Sequence, residues 1–138
     1  MNRTVQYLLD THVFVWLMLA DQQLKRKSFF ETVAITGELF ISPVSCWEIG
    51  LLATRNRLQL RMPTLEWVER SLKTPGLSLL ALSPRSAVEA SYLPGKFHGD
   101  RIDRILVATA RIENLTLATR DEKILEYAKQ GHVNTLVC

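Results

Sequence analysis

Five short apolar runs, at residues 5–9, 39–42, 77–82, 115–119 and 133–137, are separated by stretches carrying helix signals. Runs of this length suit strands, and their near-continuous apolar character suits strands covered on both faces. Helices are predicted between them over 11–19, 25–38, 43–55, 64–73, 83–93, 100–113 and 122–129. Ser42-Pro43 spells a helix start, with Ser as N-cap and Pro at the first helical position. A Thr64-x-x-Trp67 start opens the next helix, and Pro75-Gly76 follows its end. Such alternation builds an α/β fold, a parallel sheet with helices on both faces. With 138 residues, 47% hydrophobic and 22% charged, the chain is expected to form a single domain, 1–138, around its own core.

Composition removes several classes of function. The two cysteines, Cys46 in an apolar stretch and Cys138, make neither a disulfide framework nor a zinc site, and they suit a reducing cytosol. The apolar run 13–20 is too short to span a bilayer, and Asp10 and His12 interrupt anything resembling a secretory leader. A cytoplasmic protein with no membrane partner is expected. His12, His98 and His132 have no metal-site spacing, and there is no nucleophile elbow, P-loop or dinucleotide motif. The net charge of +3 and the arginine bias permit a nucleic-acid substrate without establishing one.

In an open parallel sheet, ligands sit outside the carboxyl ends of the strands where strand order reverses. Asp10 directly follows the first apolar run, and Thr119 to Asp121 ends the fourth. Asp10 is equally well placed to cap the following helix. Glu48 closes a capping-box pattern with Ser45, but the Ser42-Pro43 start puts it inside a helix. There it shares a stripe with Val44, Leu51 and Leu52, with Arg55 two turns on as a possible partner. A carboxylate on such a stripe is costly unless paired or metal-bound. Asp103 falls on the side of its helix that carries Leu106, Val107 and Ala110, which an N-terminal capping role does not explain. For Asp121 the capping pattern Thr119-x-x-Glu122 is a strong alternative. Taken together, four acids at one sheet edge would repel one another without a cation or shared protons. Hard divalent cations take oxygen ligands. With no candidate nucleophile, metal-activated water is the economical chemistry.

The segments Leu8-Leu9-Asp10-Thr11-His12, Ser42-Pro43-Val44-Ser45-Cys46-Trp47-Glu48, Gly99-Asp100-Arg101-Ile102-Asp103-Arg104 and Leu117-Ala118-Thr119-Arg120-Asp121, in that order and spacing, resemble the PIN-domain ribonucleases. Among these the chain is most similar to the VapC-type toxins of toxin–antitoxin modules. The resemblance implies a PIN-like sheet of four or five strands ordered 3-2-1-4-5, with the reversal between strands 1 and 4. It implies Mg²⁺ or Mn²⁺ held by Asp10 and Asp103, with Glu48 and Asp121 completing the pocket directly or through water. Thr11, Ser45 and Thr119 match supporting hydroxyl positions, and Asp100 stands beside them. Relatives often carry Asp-Pro before the catalytic Asp, whereas Arg101-Ile102 follows Asp100 here.

The activity implied is endonucleolytic hydrolysis of RNA, with Arg104, Arg55 or Arg120 holding phosphates. The partners implied are an antitoxin and a second copy of the chain. Phe14, Trp16, Leu17, Phe29 and Phe30 offer either a docking surface for the antitoxin or core. Trp67, residues 77–82 and Tyr92-Leu93-Pro94 offer a dimer surface, with Trp67 equally able to be core. The rival readings are a DNA nuclease and a catalytically idle RNA- or partner-binding module. A receiver-like domain is a third, but it would need an acidic pair at the first strand's end and a late lysine, and both are lacking.

Overall fold

In a computed structural model, residues 4–138 are described. The order of elements is β1 (Tyr7–Leu9), α1 (Thr11–Leu19), α2 (Lys27–Ile35), β2 (Leu39–Ile41), α3 (Pro43–Thr54), α4 (Thr64–Ser71), β3 (Leu77–Leu79), α5 (Pro84–Glu89), α6 (Arg101–Ile112), β4 (Thr116–Thr119), α7 (Glu122–Ala128) and β5 (Thr135–Val137). The five strands form one sheet in the order β3-β2-β1-β4-β5, and every pairing is parallel. Strand order, direction and strand number match the expectation.

The strands are short but strictly two-faced, as the period of an extended chain requires. Leu9, Leu39, Ile41, Leu77 and Ala118 point to one side, where α1, α2 and α4 cover them with Val13, Phe14, Phe30, Trp67 and Val68. Leu8 and Leu117 point to the other side, against Ile102, Leu106, Val107 and Ala110 of α6 and Ile124 and Tyr127 of α7. Helix α3 contributes Ile49 to the first layer and Val44 to the second.

The elements are shorter than predicted because caps and turns take their ends. Ser42, read as the last residue of a strand, accepts a hydrogen bond from the Val44 amide and caps α3. Helix α4 begins after Pro63 with no side-chain cap, so the Thr64-x-x-Trp67 pattern makes no capping bond. Asp121, not Thr119, caps α7 by accepting from the Ile124 amide, so the Thr119-x-x-Glu122 box does not form. Gly76 precedes β3 with φ of +84°, and a Cβ there would lie 1.7 Å from the Ala34 carbonyl oxygen. That close approach of α2 demands glycine.

The aromatic residues divide between core and rim. Phe14 and Phe30 are fully buried, while Trp16, Leu17 and Phe29 pack partly buried against the same layer. Trp67 is buried edge-on against Phe14 at 5.9 Å between ring centroids, which removes it from any dimer surface. Phe14 is thus a central filler, and Phe14→Ala should cost about 3–5 kcal/mol of stability. Urea unfolding would measure this, and a loss below about 1 kcal/mol would contradict the packing described.

Candidate active site

The order reverses between β1 and β4, where the connections from these two strands diverge at their carboxyl ends. A cleft of about 350 Å³ opens there, lined by Asp10, His12, Trp16, Glu48, Asp100, Asp103, Arg120 and Asp121. All four acids singled out in the sequence therefore meet, and each arrives on a different element.

Asp10 follows β1 and caps α1, as its capping pattern predicted, and its side chain also lines the cleft. Its Oδ1 accepts from the Thr11 amide at 2.7 Å and its Oδ2 from the Thr119 hydroxyl at 2.6 Å. Thr119 in turn accepts from the Asp121 amide at 3.0 Å, tying the start of α7 to the first strand's acid. The Thr11 hydroxyl donates to the Ser45 hydroxyl at 2.9 Å, joining α1 to the first turn of α3, one turn before Glu48. Thr11, Ser45 and Thr119 are completely buried; the Thr119 hydroxyl bonds the Asp10 carboxylate directly, while Thr11 and Ser45 tie α1 to α3.

Asp100 caps α6, its Oδ1 accepting from the Asp103 amide at 2.8 Å. The Asp103 side chain is left half-buried in the cleft. The loop leading there is clamped to α7. The Tyr127 hydroxyl donates to the Pro94 carbonyl at 2.6 Å, and the Gln130 amide bonds both the N–H and the C=O of Lys96.

The acids lack cationic partners. Among the described residues the ion pairs are Lys27–Glu31, Arg70–Glu66 and Lys129–Glu126, all exposed and none in the cleft. Burial pushes the Asp103 carboxyl from 3.8 up to about 8, and the charges of Asp100, Asp10, Asp121 and Glu48 add to it. Burial raises Asp10 to about 6, offset in part by its hydrogen bonds from Thr119 and Thr11.

The predicted phosphate-binding arginines separate. Arg55 follows α3 as its exposed C-cap, with no pair to Glu48. Arg104 turns away to donate to the Ala90 carbonyl at 2.8 Å. Arg120 alone lines the cleft. His12 and Trp16 also line it, though sequence reading placed neither in the site. Their i, i+4 spacing directly after Asp10 was the available signal.

The donor set is all oxygen and anionic, the kind a hard dication takes. Among the described residues, no three Asp, Glu, His or Cys groups converge into a ready-made ion cage. The acids surround the cleft without closing on a point.

A PIN domain family model matches residues 7–130. The chain belongs to the PIN domain family. Ribonuclease VapC22 of Mycobacterium tuberculosis is 31% identical to this PIN-domain chain over 117 residues, 85% of it and 88% of the relative. VapBC2 from Rickettsia felis, solved bound to a promoter DNA fragment, superposes with a TM-score of 0.67 at 15% identity, covering 96% of this chain and 98% of that one. FitAcB from Neisseria gonorrhoeae gives 0.65 at 22% identity, covering 95% and 96%. At such identities the structural likeness is one of fold.

The shifted carboxyls carry a pH signature for the metal-free protein. Between pH 4 and 8 the folded state holds protons on Asp10 and Asp103 that an unfolded chain has released, so stability falls as pH rises through that window. Asp103→Asn should flatten this slope and raise the melting temperature in EDTA at pH 8 more than at pH 5. Equal shifts at both values would show that burial and like charge do not hold the Asp103 carboxyl up.

Proposed function

We propose that this PIN-domain protein is a metal-dependent endoribonuclease, a single domain acting in the cytoplasm as the toxin of a toxin–antitoxin pair. The observation that carries the reading is the convergence of Asp10, Glu48, Asp103 and Asp121 on one cleft without a cationic partner. Family membership and the kinship to a protein named as a ribonuclease support it. Among the described residues no helix is long and apolar enough to cross a membrane.

Asp10 and Asp103 would hold Mg²⁺ or Mn²⁺, with Glu48 and Asp121 completing the site. When bound, the dication supplies neutralisation of phosphate charge and an acidified water as nucleophile. The chain itself contributes fixed direction. Asp10 cannot rotate away because both oxygens are held, and Thr119 and Ser45 keep the bases of α7 and α3 in register with it. Asp103 is the acid best placed to shed its extra proton when the cation arrives, since its high pKa derives from burial and like charge.

With Mg²⁺ or Mn²⁺ the purified protein should cut RNA at few positions, and EDTA should stop it. Asp10→Asn and Asp103→Asn should each reduce cleavage by more than about 100-fold, and Thr119→Val by about 10–100-fold, as for groups that orient a metal ligand. Full activity of folded Asp103→Asn would overturn the carboxylate mechanism. Cutting of a DNA copy of the same sequence at a comparable rate would replace ribonuclease by DNA nuclease.

An RNA-cutting site in a free protein calls for a partner that covers it. A small apolar groove lined by Leu17, Met18, Phe30, Ala34, Pro75 and Leu77 lies between α1, α2 and β3 and would take an apolar side chain of an antitoxin. The dimer we propose would use the exposed Tyr92 and Leu79 without Trp67. Expression of the wild type alone should arrest bacterial growth, and co-expression with the product of an adjacent antitoxin gene should restore it. Unimpaired growth in several hosts would remove the toxin role and leave the nuclease role standing.

A further inference from the structure

One wall of the cleft has chemistry that metal binding does not use. His12 and Trp16 stand one turn apart on α1, with ring centroids 5.8 Å apart and planes inclined by 51°. The Arg120 guanidinium carbon lies 4.5 Å from the centroid of the Trp16 ring. His12 is exposed at the rim and Trp16 is half-buried. Arg120 sits among acids, yet its Nε donates to the Cys138 carbonyl at 2.8 Å and it makes no ion pair with any of them. Its Nη2 is enclosed and has no hydrogen-bond partner. A guanidinium free to choose would collapse onto the nearest carboxylate. Stacking on indole and the carbonyl bond hold this one off, with a donor unspent.

We propose that His12, Trp16 and Arg120 form a nucleotide subsite beside the acids. Arg120 takes the phosphate next to the one being cut, and the base of that nucleotide stacks on the exposed imidazole of His12, beside the half-buried indole of Trp16. Aromatic rings and guanidinium planes are general platforms for splayed bases. A paired base is already stacked in its own helix, so the subsite requires an unpaired nucleotide at this position. The inference rests on the nuclease reading and names its substrate as RNA unpaired beside the cut.

Cleavage of a short single-stranded oligoribonucleotide, and of the same strand annealed to its complement, tests the subsite. His12→Ala alters only an exposed side chain and should raise KM for the single strand about tenfold, with kcat changed less than about twofold. Trp16→Phe should stay within about threefold of wild type, and Trp16→Leu should match His12→Ala or exceed it. Arg120→Gln should raise KM further than Arg120→Lys. The annealed duplex should be cut poorly by all of them. Unchanged KM in folded His12→Ala and Trp16→Leu, or equal cutting of duplex and single strand, would overturn the subsite while the nuclease reading stood. If the wild type cut no RNA, the nuclease reading would fail and binding would decide the subsite. Quenching of indole emission by the oligonucleotide in EDTA, lost in Trp16→Phe, would support it, and quenching unaltered in Trp16→Phe would refute it.

Discussion

Asp10 is buried at the carboxyl end of the central strand, with both oxygens held by hydrogen bonds from two other points in the chain. Burying a carboxylate is expensive unless its lone pairs are met, and here a helix N-terminus and a neighbouring strand's hydroxyl meet them. The bond from Thr119 is possible only because β4 lies directly beside β1, in the register that pairs Leu9 with Ala118. That adjacency is the same feature that reverses the strand order and opens the crevice. Sheet topology and the orientation of the acid are therefore one fact seen at two scales.

The other acids follow from this arrangement. Glu48 and Asp121 each lie within a turn of a hydroxyl in Asp10's network, and Asp103 is brought up by an Asp100 cap on α6. What results is a concentration of negative charge that folding alone does not reward, visible in the raised Asp103 carboxyl. Stability is given up at the place where the function we propose calls for a cation and a phosphate backbone.

Much of this was legible in the chain because two periods are easy to read. Alternating short apolar runs and helical stretches implied the parallel sheet, and acids sitting just past a run or on an apolar stripe marked the cleft. Resemblance supplied the strand order. The failures share a cause. Thr119-x-x-Glu122 looks like a capping box, but Thr119 ends β4, its hydroxyl donating to Asp10 more than a hundred positions earlier and accepting from the amide of Asp121, which is the residue that caps α7. Arg104, expected to hold a phosphate, donates its Nε–H to the Ala90 carbonyl and does not line the cleft. Phe14 and Trp67 were open to a surface or a core reading in the sequence, and their packing on each other decides for core. In each case a long-range partner, invisible to local pattern, decided the role. Arg120 and Trp16 are a further case, because only the fold shows that they stack.

The segment that delivers Asp100 and Asp103 has no helix or strand between Pro94 and Gly99, yet it is fastened as a strand would be. One glutamine amide satisfies both polar groups of Lys96, and a tyrosine hydroxyl takes the Pro94 carbonyl. Its conformational freedom is thus surrendered once, when the chain folds, and not at each encounter with a ligand. A site built on such a segment presents Asp100 and Asp103 already positioned, so ordering them adds little to the cost of binding a ligand there.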